Sequence, residues 1–230
     1  MIKKFFILIF LIFSCCLFSQ ERIKDLGGWF SLATNYKFNQ KQSISIMGRI
    51  RQYENFTQTN SWYVDIGYSF KFANTLKVSV HYAINPSLTS QNYFRNIHQY
   101  YLRIDYKKFI NKYFTFYNRI IAQHSTHLFL TDFNDNGYKP YYRTDLRERT
   151  GFSYNLNSSS EIYLHNEWMF TISQNPVELR RNRLYCGYEK KINDKISYKT
   201  YFVLQSSFHK RKSADRDYFI FGLDINFNLN

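Results

Sequence analysis

The sequence predicts an all-β protein, a single antiparallel up-and-down transmembrane β-barrel of about 10–12 strands with short periplasmic turns and longer outer loops. Three observations support this prediction: apolar and polar residues alternate with period two, no segment shows a sustained helical period, and short connections alternate with long ones. An aromatic content of 20% and only three prolines argue against a disordered chain.

Residues 1–19 are predicted to be a secretory signal peptide, and residues 20–230 to form the barrel domain. Lys3 and Lys4 precede the apolar run Phe5–Phe13, which a smaller and more polar segment follows. The run is shorter than the ~20 residues that a membrane-spanning helix needs. Export through the inner membrane of a Gram-negative cell would place the mature protein in the outer membrane.

Two other interpretations of this N-terminus are a retained anchor and a lipoprotein signal at Cys15 or Cys16. Cleavage at the predicted site would leave a mature chain with Cys186 as its one cysteine. An exported chain with one cysteine has no intramolecular disulfide, so its stability must come from packing or from the bilayer.

The alternation is clearest in the last segment, where every second residue from Phe219 to Leu229 is apolar. Trp62–Phe72 and Leu76–Ile84 repeat the pattern. We expect strands at about 28–38, 43–55, 61–72, 75–85, 96–107, 113–124, 141–156, 161–172, 180–192, 196–206 and 217–229.

We expect the apolar face of this sheet to contact lipid. A wall of about eleven strands exceeds the eight of lipocalin-type barrels. Aromatic residues crowd the strand ends, as at Trp62, Phe72 and Trp168, where outer-membrane barrels carry interfacial girdles. No helical segment could cover an apolar sheet face in water. The alternative is a soluble lipid-binding barrel with its apolar face inward.

An odd number of segments conflicts with the even strand number usual in bacterial barrels. Either the first segment lies outside the wall, or residues 20–28 add a short strand, or the chain threads the lumen before its first strand.

Several short motifs carry a family resemblance. They are Asp25-Leu-Gly-Gly-Trp29, Tyr36-Lys-Phe-Asn39, Arg49-Ile-Arg51, Arg147-Glu-Arg149, Asn166-Glu-Trp168 and Asn182-Arg-Leu-Tyr-Cys-Gly-Tyr188. With these motifs the chain resembles the bacterial outer-membrane barrel family known as domain of unknown function 2490. The resemblance implies a β-barrel in the outer membrane and implies no activity, because the function of the family is not established.

If lipid lies outside, the polar face lines a lumen and forms a lattice of charges. Its predicted members are Arg49, Arg51, Asp65, Arg103, Asp105, Arg119, Arg143, Asp145, Arg147, Arg149, Glu167, Arg181, Arg183, Glu189 and Asp224. Arginine pairs bidentately with carboxylates, so the lattice could simply fill and rigidify the barrel. Because arginines outnumber carboxylates, it could also form a narrow passage that favours anions.

The expected partners are outer-membrane lipids and lipopolysaccharide, together with the barrel-assembly machinery during insertion. The cations Arg180, Lys210, Arg211 and Lys212 could meet anionic head groups at the outer surface. The net charge of +14 does not indicate nucleic acid, because the chain is predicted to be exported and much of the charge follows the polar strand face. The sequence leaves the oligomeric state open.

An outer-membrane lipid hydrolase or acyl-modifying enzyme is the alternative function. His124, Ser125, His127, Asp132 and Asp135 lie at the entrance of a long loop and supply the residue types of a Ser-His-Asp set or a metal site. Neighbouring strand residues point to opposite faces, however, so adjacency does not make a triad. This pattern alone is too permissive to assign a function, so the sequence predicts no catalytic residue, no metal site and no cofactor.

Overall fold

Long strands joined by alternating short and long connections make up the described part of the chain. The computed structural model describes residues 23–88, 94–126, 142–173, 176–208 and 216–229. The strands are β1 (Ile23–Lys37), β2 (Gln42–Tyr53), β3 (Gln58–Ala73), β4 (Leu76–Ile84), β5 (Ser87–Leu88), β6 (Phe94–Arg95), β7 (His98–Phe109), β8 (Phe114–Thr126), β9 (Tyr142–Asn155), β10 (Ser160–Thr171), β11 (Glu178–Lys191), β12 (Ile196–Ser207) and β13 (Arg216–Leu229).

Eleven of these strands close into a barrel, while β5 and β6 form a small hairpin at the edge of β3. Successive wall strands pair antiparallel, and β1 pairs with β13 in parallel from Ile23 opposite Arg216 to Tyr36 opposite Leu229. In a wall of alternating up and down strands, the first and the eleventh run in the same direction, so an odd barrel can close only through a parallel pair.

This seam resolves the conflict over strand number differently from the three arrangements expected from the sequence. The first segment lies in the wall, and residues 23–28 extend it as part of β1. The barrel is therefore antiparallel except at its closing pair, and its eleven strands confirm the predicted barrel of 10–12 strands.

The short turns share one local structure. In each of four turns an asparagine side chain accepts hydrogen bonds from backbone N–H groups two or three residues later, at 2.8–2.9 Å. Asparagine favours such turns because its side chain mimics a backbone carbonyl. The four residues are Asn39, Asn111, Asn157 and Asn193.

At the opposite end, the link between β2 and β3 is held against β1. Glu54, Asn55 and Phe56 all have positive φ, from 53° to 67°. The carboxylate of Asp25 accepts hydrogen bonds from the backbone N–H groups of Glu54 and Asn55 at 3.1 and 3.3 Å. The Phe56 ring covers Gly28 so closely that a Cβ there would lie 2.5 Å from Cε1 of Phe56. The Asp-Leu-Gly-Gly motif thus fixes this tight connection.

The two faces of the sheet have opposite character. On β3, Asp65 is 3% exposed while its neighbour Ile66 is 42% exposed. The same alternation leaves large apolar side chains on the outside, such as Leu32, Val80 and Phe202. The barrel interior is polar and charged, and it contains a small aromatic and aliphatic cluster of Trp29, Tyr185, Tyr201, Val203 and Ile220.

Interior aromatic rings occupy the space above interior glycines. Tyr201 on β12 lies opposite Gly222 on β13, and a Cβ at Gly222 would come within 2.1 Å of the Tyr201 ring. The ring can lie flat against the wall only because its neighbour has no side chain.

No helix that is long and apolar enough to cross a membrane occurs in the described ranges.

Candidate functional site: the charged interior of the barrel

The residues expected to form the charge lattice lie on the inward-facing positions of their strands. Strand register places Arg51 beside Trp29, Arg103 beside Ser79, and Glu167 between Arg149 and Arg183. The structure gathers them around several carboxylates rather than in one continuous row.

The largest group surrounds Glu167, which is 1% exposed. Arg183 donates to its Oε1 at 2.9 Å, while Arg149 and Arg147 donate to its Oε2 at 2.8 and 3.1 Å. The three arginines come from β9 and β11, the neighbours of β10 on either side. Arg183 also donates to Oε1 of Gln205 at 2.7 Å, which extends the group to β12. One carboxylate therefore neutralises charge from both adjacent strands.

Asp145 organises a second group nearer the long connections. Arg143 and Arg180 lie 2.8 and 3.2 Å from its Oδ2, and the Thr171 hydroxyl donates to its Oδ1 at 2.8 Å. Arg180 thus points into the barrel, which corrects its expected place among the cations of the outer surface. The other three residues of that set, Lys210, Arg211 and Lys212, fall outside the described ranges.

Asp105 organises a third group nearer the short turns. Arg119 and Arg103 donate from Nε at 2.6 and 2.7 Å, and the Tyr117 hydroxyl donates at 2.7 Å. Lys77 approaches the same carboxylate at 3.7 Å. Two arginines and one lysine against one carboxylate leave this group with net positive charge.

The remaining carboxylates have mixed partners. Asp224 accepts hydrogen bonds from Ser31 and from Tyr201, the latter at 3.1 Å, and Arg49 lies 3.4 Å away. Glu189 pairs with Lys199 at 2.6 Å.

Asp65 contacts no arginine within the described residues. It instead accepts hydrogen bonds from the hydroxyls of Tyr63 and Tyr101, and lies 2.9 Å from Nδ1 of His81. This carboxylate therefore belongs to an aromatic network rather than to the arginine lattice.

Two predicted members, Arg51 and Arg181, form no ion pair within the described part of the chain. The Arg51 guanidinium lies over the rings of Trp29 and Tyr63, at 5.3 and 5.4 Å from their centroids. Trp29 is also approached by Arg183 at 5.1 Å and by Arg49 at 5.7 Å. The predicted lattice does not include Trp29. Its parity could have revealed it, because Trp29 and Ser31 alternate with the outward-facing Phe30 and Leu32 and therefore point inward.

Two cavities lie inside the described part of the barrel. The loop-side cavity, of about 400 Å³, lies toward the long connections, and the turn-side cavity, of about 520 Å³, lies toward the short turns. Seven side chains line both and so mark the constriction between them: Trp29, Arg49, Arg51, Tyr63, Arg147, Arg149 and Tyr185.

The candidate enzyme residues do not converge where the structure describes them. His124 is exposed on the outer face, where its Nδ1 lies 3.1 Å from the Thr144 hydroxyl. Ser125 is fully buried on the inner face and accepts a hydrogen bond from Gln123 at 3.2 Å. The two side chains point to opposite faces, so they cannot act as a nucleophile and its base. His127, Asp132 and Asp135 lie outside the described residues.

No group of three or more His, Cys, Asp or Glu side chains suited to a metal ion occurs in the described ranges. Cys186 has a free thiol and is exposed on the outer face of β11.

A polar patch on the outer face was not anticipated. Glu148 is exposed and accepts a hydrogen bond from Asn118 at 3.1 Å, and Asn118 also donates to Thr150 at 2.6 Å. On the next strands, Asn182 donates to Asn166 at 2.7 Å. The parity of Glu148 between the inward Arg147 and Arg149 could have revealed this outward carboxylate.

Comparisons with known proteins agree with the fold. A solved structure of the NanC porin is similar over 89% of this chain and 99% of the porin chain, with a TM-score of 0.50 and 10% sequence identity. At this identity the likeness concerns the β-barrel fold alone. A search of curated proteins found no match. The family model for protein of unknown function DUF2490 matches residues 26–216, most of the chain, and the protein therefore belongs to the DUF2490 family.

Proposed function

We propose that this protein is a non-enzymatic β-barrel of the outer membrane whose interior forms a narrow passage that favours anions. The apolar outer face supports the membrane location, because side chains such as Val80 and Phe202 are more than half exposed. A water-soluble protein rarely exposes so continuous an apolar surface, whereas the outside of a membrane barrel is an apolar band about 25 Å tall.

The excess of guanidinium groups around the loop-side cavity carries the proposal of anion preference. Eight arginines line this cavity against three carboxylates, Asp25, Glu54 and Asp145. Four of the eight pair with Glu167 or Asp224 behind the lining, which still leaves more arginines than carboxylates. Rings of positive side chains favour anions because they lower the electrostatic energy of an anion in the pore and raise that of a cation. A smaller excess around the turn-side cavity, six arginines against three carboxylates, would extend this preference along the barrel.

The constriction supports a narrow passage rather than a wide pore. Trp29, Tyr63 and Tyr185 place three large rings there, and all three are largely buried. The Arg149 guanidinium lies 4.1 Å from the centre of the Tyr185 ring, so cationic and aromatic groups are packed together at this level. Small hydrated anions are the class of solute that suits such a bore.

Recording from the refolded protein in planar bilayers tests the proposal. In a potassium chloride gradient we expect a small conductance whose reversal potential shows preference for chloride. Arg147→Gln should lower that preference because it removes a charge from the constriction, while Lys195→Gln at an exposed short turn should leave it unchanged. A large, cation-selective conductance would contradict the proposal, and a barrel that does not conduct would support the purely structural lattice instead.

A further inference from the structure

The loop-side cavity contains positive charge that no carboxylate of the described residues neutralises. Seven of the nine arginines in the predicted lattice contact a carboxylate within 4 Å: Arg49, Arg103, Arg119, Arg143, Arg147, Arg149 and Arg183. Arg51 and Arg181 have no such contact within the described residues, and both line the loop-side cavity.

Both side chains are half-buried, and part of each guanidinium group is out of contact with solvent. The Nε atoms of Arg51 and Arg181 are both buried, and neither has a hydrogen-bond partner in the described chain. Buried donors of charged groups are costly to leave without an acceptor. Each would therefore gain from an oxyanion inside the cavity.

Neighbouring charges increase this demand for an anion. Arg51 lies in the positive field of Arg49 and Arg183, and Arg181 in that of Arg180 and Arg183. Arg51 and Arg183 both lie over the Trp29 ring, at 5.3 and 5.1 Å from its centroid, and Arg181 precedes Arg183 by two residues on β11. The two uncompensated guanidinium groups therefore belong to one cluster around Arg183, and all three line the same cavity. A single anion with more than one negative charge would lower the mutual repulsion of the whole cluster.

We infer that the loop-side cavity is a binding site for a small free solute that carries a dianionic oxyanion, such as a phosphate group, with Arg51 and Arg181 as its principal ligands. This inference rests on the proposed anion passage and identifies the place in it where a solute would bind. The planar guanidinium fork suits phosphate because it donates two parallel hydrogen bonds to two oxygens. A volume of about 400 Å³ is within the range of small-molecule sites.

Titration calorimetry of the detergent-folded, full-length protein with inorganic phosphate tests this site. At pH 8 and low ionic strength, phosphate should bind more tightly than the monoanion acetate. The double variant Arg51→Gln/Arg181→Gln should weaken phosphate binding by about tenfold or more, because it removes the charged hydrogen bonds of both principal ligands. Glucose serves as the uncharged control and should not bind.

A matched variant separates the site from general loss of charge. Arg103→Gln makes the same chemical change in a paired arginine that lines only the turn-side cavity, and its affinity for phosphate should stay near that of the parent. If the double variant does not fold, as judged by the heat-dependent shift of its gel mobility, Arg51→Lys and Arg181→Lys replace it. They keep the charge but lose the fork, and should still bind phosphate more weakly than the parent.

The outcomes distinguish this site from the channel. Equal affinity of the parent for phosphate and acetate, or unchanged phosphate affinity in the Arg51 and Arg181 variants, would overturn the site even if bilayer recordings show anion preference. Phosphate binding that depends on both arginines would support the site even in a barrel that does not conduct.

Discussion

Glu167 on β10 accepts a hydrogen bond from Arg183 on β11 at 2.9 Å, and this ion pair links the two strands deep inside the barrel. The same carboxylate binds Arg147 and Arg149 on the other side, so three arginines share one negative charge. A buried carboxylate with several arginine partners stabilises the fold mainly by preventing their repulsion.

Glu167→Gln should therefore destabilise the barrel strongly. The variant keeps the shape of the side chain but removes the negative charge, leaving Arg147, Arg149 and Arg183 close together without compensation. We expect a loss of about 3–5 kcal/mol in the free energy of unfolding. Reversible urea titration in lipid vesicles measures it, and a variant as stable as the parent would show that the lattice is not structural.

Glu148→Leu is expected to have the opposite effect. Glu148 lies on the outward face, opposite Trp168 on β10, where its charge would meet hydrocarbon. Replacing it with leucine should raise the free energy of unfolding in vesicles by about 1 kcal/mol, since a lipid-facing carboxylate destabilises a barrel less than a lipid-facing arginine or lysine does. The same urea titration measures the free energy of unfolding of both glutamate variants. A lower value for Glu148→Leu than for the parent would mean that protein, rather than lipid, covers this patch.

Gly222→Ala should also destabilise the barrel, although it adds only one methyl group. The new Cβ would collide with the Tyr201 ring, which would have to leave its hydrogen bond to Asp224. We expect a loss of about 1–3 kcal/mol, typical of overpacking. Gly48→Ala is the matched control, because a Cβ at Gly48 meets nothing within 4 Å. Equal free energies of unfolding for the two variants would contradict the close packing of Tyr201 on the wall.

Much of this architecture follows from local sequence patterns. Period-two alternation identified the eleven wall segments, because a strand places successive side chains on opposite faces regardless of its partners. The same parity indicated which charged residues share a face, as with Arg147 and Arg149 on either side of Glu148. Asparagine in the short turns acts over two or three residues, so it too is visible in the sequence.

Features that depend on distant residues could not be predicted. The pairing of Asp65 with His81 and two tyrosines, instead of with an arginine, depends on which side chains reach across several strands. The alternation of faces could not place Arg180, because the pairing of β10 with β11 is irregular there. Met169 lies opposite Arg181 and the next residue, Phe170, lies opposite Leu179, so Arg180 has no partner in the register. The register of the closing pair was equally hidden, since β1 and β13 lie at opposite ends of the sequence.

A disulfide across the β1–β13 seam tests that closure. Leu32 lies directly opposite Ile225 in the parallel register. Neighbouring strands are about 4.8 Å apart, and a disulfide needs Cα atoms within about 7 Å. In a Cys186→Ser background, Leu32→Cys/Ile225→Cys should therefore oxidise readily in the folded barrel and change its mobility on a denaturing gel without reductant.

The control for this crosslink uses the same face of the same two strands. Leu229 lies opposite Tyr36, four residues beyond Leu32 and thus about 13 Å away along the strand. Leu32→Cys/Leu229→Cys should not crosslink within one folded chain, because no disulfide spans that distance without moving the backbone. A crosslink in the control but not in the Leu32–Ile225 pair would show a different seam register. If neither pair forms a disulfide although the protein folds, β1 does not pair with β13. The wall would then contain an even number of strands, without β1.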